Sequence, residues 1–225
     1  MADNKPEIII ALDGMEVNEA LHMARLLTGK AWGFKVNDLL LEAGGLIITR
    51  LKKYGHVFAD AKLHDTPNTV FNSVKKLSRA GADFISIHAS ADMAMLLAAQ
   101  KAAGQSNLVG ISVLTSNENF SKSTFKKAVF QSVVSRAYGI VCSPCDMKLL
   151  RKCPGSNALK VISPGIRPLG MEVAEDDQKR IATPADAAQA GADYIVVGRP
   201  VTGAQNSKEA LDKIIKELEE MKTPQ

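Results

Sequence analysis

The sequence predicts one (β/α)8 barrel. Three observations lead there. Short β-rich apolar runs alternate with amphipathic helical runs eight times along the chain. The 225 residues divide into eight units of about 28 residues, room for a strand, a helix and two short loops. Charged residues stand at the C-terminal ends of consecutive strands, the end where barrels gather their chemistry.

Residues 7–13, Glu-Ile-Ile-Ile-Ala-Leu-Asp, read as a buried strand, and 16–28 as a helix with Ala20, Leu21, Ala24 and Leu27 at helical spacing, stopped by Gly29. Strand two is predicted over 32–37 and one helix over 38–54; strand three over 57–63 and a helix over 67–80; strand four over 84–88 and an Ala/Met/Leu-rich helix to 103. Strand five covers 108–114 and a helix about 123–136; strand six covers 139–142, with a short helix from Pro144. Strand seven covers 159–162, a helix 184–190, and strand eight 194–197. A closing helix over 208–221 carries Leu211, Ile214, Ile215 and Leu218 on one face.

The same four letters, Ala-Gly-Ala-Asp, stand at 80–83 and 190–193, each time between a helix and a strand. Gly commonly follows a helix end, where φ is often positive. The repeat hints at a recurring βα plan, with coincidence in an Ala-rich chain as the alternative. A doubly wound open sheet is the competing fold. Its glycine fingerprint is absent after strand one, where Asp13-Gly14-Met15-Glu16 stands. No linker-like stretch divides the chain, so residues 1–225 are expected to form one domain.

Composition narrows the function. An apolar share of 46% is ordinary for a folded protein and argues against disorder. The net charge of +4 suits an anionic small substrate but is too weak and dispersed for nucleic acid. The Lys52-Lys53, Lys75-Lys76 and Lys126-Lys127 pairs read as solvated helix faces. The N-terminus lacks the apolar core of a signal peptide, and no apolar run nears the roughly 20 residues needed to cross a bilayer. A soluble cytoplasmic protein with no membrane partner is expected. Cys142, Cys145 and Cys153 cannot build a disulfide framework. A redox or zinc role for Cys142-Ser143-Pro144-Cys145 lacks a second ligand pair, although Cys145, near a helix start, is open to some reactivity.

The strand ends carry the chemistry. Asp13 ends strand one, Lys35 lies within strand two, and strand three ends Asp60-Ala61-Lys62-Leu63-His64-Asp65. Asp60 and Lys62, two apart, share a strand face, leaving Ala59, Ala61 and Leu63 on the other. Two lysines and two or three aspartates then converge in one pocket, where alternating charges hold one another ionised. A salt-bridge layer without chemistry is the alternative. Two later loops, Ser163-Pro164-Gly165-Ile166-Arg167-Pro168 and Gly198-Arg199-Pro200-Val201-Thr202, follow strands seven and eight. Barrels often build a phosphate site there, with glycines admitting close backbone approach and arginine forks gripping oxygens. Ordinary turn chemistry is the competing account. His64 and His88 read as structural or supporting residues.

With these motifs the chain resembles the orotidine 5′-monophosphate decarboxylase family along nearly its whole length. The resemblance rests on Ala11-Leu12-Asp13, Lys35-Val36, the segment from Asp60 through Asp65-Thr66-Pro67-Asn68-Thr69, Val113-Leu114-Thr115-Ser116 and the two late loops. It implies decarboxylation of orotidine 5′-monophosphate to uridine 5′-monophosphate and CO2 in pyrimidine biosynthesis, with neither metal nor cofactor. Lys62 would donate the proton, with Asp60, Asp65 and Lys35 completing the catalytic array. Asp13 and Lys35 would hold the ribose, and Thr115 would touch the pyrimidine. Arg167, Gln178, Gly198 and Arg199 would hold the phosphate, and Pro164 and Gly165 would also bind the substrate. A homodimer is implied, with Asp65 and Thr69 reaching the neighbouring site. The loops 116–122 and 169–182 are candidate lids.

The chain departs from the family pattern at Thr66, commonly Ile, and Asn37, commonly Gly, where a side chain would narrow the pocket mouth. Two alternatives stay open. Sister sugar-phosphate enzymes of the 3-keto-gulonate 6-phosphate decarboxylase type share Asp-x-Lys-x-x-Asp but use Mg2+ and carry an acidic residue where Lys35 stands. A non-catalytic phosphate-ligand barrel would need the grip but not the charged array.

Overall fold

Eight parallel strands close on one another in chain order: β1 (Glu7–Ala11), β2 (Gly33–Val36), β3 (His56–Leu63), β4 (Phe84–His88), β5 (Asn107–Ile111), β6 (Gly139–Val141), β7 (Lys160–Ser163) and β8 (Tyr194–Val197). β8 pairs with β1 and completes the ring. The structure, a computed structural model, describes residues 5–113, 120–169 and 180–221. The helices among them are α1 (Val17–Leu26), α2 (Leu39–Ala43), α3 (Leu46–Leu51), α4 (Pro67–Arg79), α5 (Met93–Ala102), α6 (Lys122–Val134), α7 (Met147–Leu150), α8 (Pro184–Ala190), α9 (Arg199–Thr202) and α10 (Ser207–Glu220).

The predicted (β/α)8 barrel is therefore the observed fold, with two corrections. The single helix expected over 38–54 is two helices, because Gly44 takes φ +56, outside the helical region, and breaks the hydrogen-bond ladder between α2 and α3. The loop after strand eight, expected as a phosphate-binding loop, contains a helix absent from the predicted elements, α9, which starts at Arg199 with Pro200 in its first turn.

The four-letter repeat is structural. Gly81 and Gly191 both have positive φ, at +99° and +93°. Each following aspartate then clasps the preceding strand. Asp83 accepts the Val57 N–H at 2.7 Å while its own N–H donates to the Val57 carbonyl at 2.8 Å. Asp193 does the same with Val161, at 2.8 and 2.9 Å. Each carboxylate also takes a lysine, Lys52 or Lys160. Two matching clasps tie β3 to β4 and β7 to β8.

Strand alternation sorts the core into two clusters. Ile8, Ile10 and Leu12 face outward and pack under the helices, while Ile9, Phe58, Val109 and Ile162, one from each odd-numbered strand, meet inside the barrel. Beneath them Trp32, Phe84, Tyr138 and Tyr194 form an aromatic floor, tied by a 2.9 Å contact between the two tyrosine hydroxyls. Two residues further along the odd strands stand Ala11, Asp60, Ile111 and Pro164. Asp60 is the one charged side chain in that layer, set among apolar residues as the column nears the C-terminal mouth.

Candidate active site

The mouth holds a cavity of about 540 Å3 lined by residues from seven strands or the loops that follow them. One wall carries Asp13, Lys35, Asp60 and Lys62; another carries Pro164, Gly165, Arg167, Gly198 and Arg199. Val141, Val196 and Phe58 add apolar surface.

Asp60 is the centre of the charged wall. It is only 6% exposed, and Lys35 only 7%. Asp60 Oδ2 lies 2.5 Å from Lys62 Nζ and 3.4 Å from Lys35 Nζ. Lys35 Nζ also donates to Asp13 Oδ2 at 2.5 Å. A chain of alternating charges, Asp13–Lys35–Asp60–Lys62, therefore runs across β1, β2 and β3, as the strand-end pattern predicts. Burial by itself would push the Asp60 carboxyl up, but the Lys35 and Lys62 ammoniums, with hydrogen bonds from Lys62 and Ser86, hold it below the usual carboxylate range. Burial would likewise lower Lys35, and the carboxylates of Asp60 and Asp13 reverse that and raise it. Asp60 and Lys35 thus hold each other in their charged forms.

The two-residue spacing does not work through a regular pleat. The β3–β4 pairing shifts register between Ala59 and Leu63, and Lys62 takes φ +46. A non-glycine residue there is uncommon and costs about 1–3 kcal/mol. It turns the ammonium, one-third exposed, back over Asp60 at the cavity edge. Ser86 of β4, which sequence reasoning missed, holds this turn. The signal was available: in Phe84-Ile85-Ser86-Ile87-His88, Ser86 occupies the inward position between Phe84 and His88.

Asn37 does not narrow the mouth. It is absent from the cavity lining, and its Nδ2 donates to the Asp60 carbonyl at 2.7 Å. The Asp13 loop is pinned by the Gly14 N–H, which donates to Asp38 Oδ2 at 2.8 Å. His88 packs its ring against His64 with centroids 5.5 Å apart. Burial, then the charges of His64 and Lys62, lower its pKa and favour the neutral imidazole.

The second wall follows from backbone geometry. Gly165 has φ +77, and the chain then pairs with the segment ahead of α8: Ala182 N–H donates to the Gly165 carbonyl at 3.1 Å and Arg167 N–H to the Ala182 carbonyl at 2.8 Å. This holds Arg167 at the rim. Gly198, Arg199 and Thr202 of the β8–α9 turn line the cavity beside it. Thr115 and Gln178 lie outside the described residues, as does most of both candidate lids. At their described ends, the Arg180 guanidinium stands 5.1 Å above the Phe120 ring and pairs with Asp146.

Asp65 and Thr69 are not brought to this cavity. Both are exposed at the start of α4, where Asp65 Oδ1 accepts the Thr66 N–H at 2.6 Å and the Thr66 and Thr69 hydroxyls meet at 3.0 Å. Cys145 is exposed; Cys142 and Cys153 are buried, and burial pushes both thiols up.

The sequence profile described as "Orotidine 5'-phosphate decarboxylase / HUMPS family" matches residues 6–214. The chain belongs to that family. It is 37% identical over 236 aligned residues to an orotidine 5'-phosphate decarboxylase of Desulfosudis oleivorans, covering 96% of this chain and 94% of that protein. It is 39% identical to the enzyme of that name from Rhodopseudomonas palustris, covering 95% of each. Among solved structures, orotidine 5'-phosphate decarboxylase from Lactobacillus acidophilus superposes with TM-score 0.78 at 28% identity, over 95% of this chain and 99% of that one. No helix among the described residues is long and apolar enough to cross a membrane.

Proposed function

We propose that this protein decarboxylates orotidine 5′-monophosphate to uridine 5′-monophosphate and CO2, a step of pyrimidine biosynthesis, with no metal or cofactor. One observation carries the reading: a buried Asp60 carboxylate gripped by two ammoniums, Lys35 and Lys62, in the same cavity as a glycine- and arginine-rich wall.

Breaking the bond between ring carbon 6 and the carboxylate leaves an electron pair on that carbon with no conventional sink. The Lys62 ammonium, fixed before the reaction, stabilises this charge and then gives its proton to the carbon. Asp60 repels the substrate carboxylate and holds the Lys62 ammonium in place at 2.5 Å. Asp13 and Lys35 take the ribose hydroxyls, and Thr115 the base. Arg167, Gln178, Gly198 and Arg199 hold the phosphate, with Pro164 and Gly165 lining the substrate site; the binding energy gained there, away from the reacting bond, is spent at the reacting centre. The reading extends to one working domain over residues 1–225 and a cytoplasmic homodimer in which Asp65 and Thr69 complete the neighbouring site.

Lys35 weighs against the magnesium-dependent sister chemistry, since its ammonium occupies the place between Asp13 and Asp60 that a divalent cation would need. The test follows loss of orotidylate absorbance with and without EDTA. Turnover that survives EDTA is expected. Turnover abolished by EDTA and restored by Mg2+, or no turnover with tight nucleotide binding, would overturn the reading.

A further inference from the structure

Ser86 is fully buried in β4 and meets both halves of the Asp60–Lys62 pair. Its hydroxyl donates to Asp60 Oδ1 at 2.7 Å, and its oxygen accepts the Lys62 main-chain N–H at 2.8 Å. The roles are unambiguous. An amide N–H can only donate, so the hydroxyl proton is left for the carboxylate.

This divides the Asp60 carboxylate by task. Oδ2 faces the two ammoniums, and Oδ1 faces Ser86. The carboxylate plane is thereby fixed, and with it the point toward which Lys62 Nζ is drawn. The second bond acts on the main chain where Lys62 sits at φ +46 and the β3–β4 pairing slips. In that slip the Lys62 N–H turns to a side chain on the neighbouring strand. A single hydroxyl therefore supports both the strained backbone under Lys62 and the carboxylate opposite its ammonium.

We infer that Ser86 is a positioning residue for decarboxylation, holding Lys62 and Asp60 in register through one bridging hydroxyl. The inference rests on the function proposed above. Ser86 is absent from the cavity lining, so it acts through its neighbours and not on the substrate. The phosphate contacts follow β7 and β8, away from the bridge, and Lys35 meets Asp60 through Oδ2, not through the Oδ1 that Ser86 holds.

The experiment compares wild type with Ser86→Ala and Ser86→Cys in steady-state decarboxylation of orotidine 5′-monophosphate, with thermal melting of each. Misplacing a catalytic group by an ångström can cost about 10²-fold, so kcat should fall by about that factor in both variants. KM should stay within about twofold, because the lost interaction serves the transition state and not binding. Cysteine fills the same space but is a weak hydrogen-bonding group, so it separates bonding from packing. If Ser86→Ala does not fold, Ser86→Cys carries the same comparison. Wild-type kcat in either variant, or kcat and KM lost together in step with melting temperature, overturns the inference alone. A wild-type protein that does not turn over the substrate overturns the functional reading and the inference with it.

Discussion

Asp60 and Lys62 face each other across 2.5 Å, although the strand that carries both slips its register between them. The ammonium reaches the carboxylate because Lys62 leaves the extended conformation, not because it keeps it. The contact puts a partly exposed cation under the control of a buried anion.

Removing that cation should stop the chemistry without unfolding the barrel. Lys62→Ala deletes a side chain at the cavity edge and leaves Asp60 paired with Lys35. Loss of the proton donor should lower turnover by about 10⁴-fold. The ultraviolet assay and a circular-dichroism melt check this together; near wild-type turnover would remove Lys62 from its assigned role.

Removing the anion should affect stability as well. Asp60→Asn strips a buried partner from Lys35, and breaking a buried pair typically costs about 3–5 kcal/mol. The sign of the pH dependence follows from the two shifts. Asp60 is lowered in the fold, so its contribution is complete above the ordinary carboxylate value near 3.9 and is lost as pH falls through its folded value. Lys35 is raised, so its contribution is complete below about 10.4 and is lost as pH rises through its folded value. The stability difference between wild type and Asp60→Asn should therefore stay flat between about pH 5 and pH 9. Chemical denaturation at three pH values in that window measures it.

The two arginines on the far wall should act on phosphate alone. A hydrogen bond to a charged group is worth about 1.5–3 kcal/mol, so Arg199→Ala should lower kcat/KM for orotidine 5′-monophosphate by about 10–100-fold. The phosphate-free nucleoside should show no such loss. An equal loss for both substrates would separate Arg199 from phosphate binding.

Asp65 and Thr69 yield a test of assembly. If Asp65 serves the neighbouring site, mixing inactive Lys62→Ala with inactive Asp65→Asn restores one intact site in each hybrid dimer. Random pairing in a two-fold dimer then returns about a quarter of wild-type activity. No recovery after subunit exchange would place Asp65 in its own site or in none.

Close strand contact supplies a stability prediction far from the chemistry. A Cβ on Gly33 would lie 2.4 Å from the His56 carbonyl oxygen on the neighbouring strand. Backbone cannot move aside as a side chain can, so Gly33→Ala should cost about 1–3 kcal/mol or more in a melting experiment.

The barrel, the charged array and the family were all written in the linear chain. Period-two and helical patterns are local, and Asp13, Lys35, Asp60 and Lys62 stood out because strands rarely carry such charges unpaired. The cavity-lining residues Gly165, Arg167, Gly198 and Arg199 were legible as glycine- and arginine-bearing loops after strands seven and eight. What tertiary structure decided was how those charges meet. The register slip, the left-handed turn at Lys62 and the bridging Ser86 arise between β3 and β4, from pairing that no single strand encodes. Asn37 turned out to brace the Asp60 main chain because β2 and β3 lie side by side. Gly44 broke a helix that periodicity alone would have run through. Sequence names the groups; the neighbouring strand sets their angles, because a hydrogen bond across a sheet depends on register, which is a property of two segments at once.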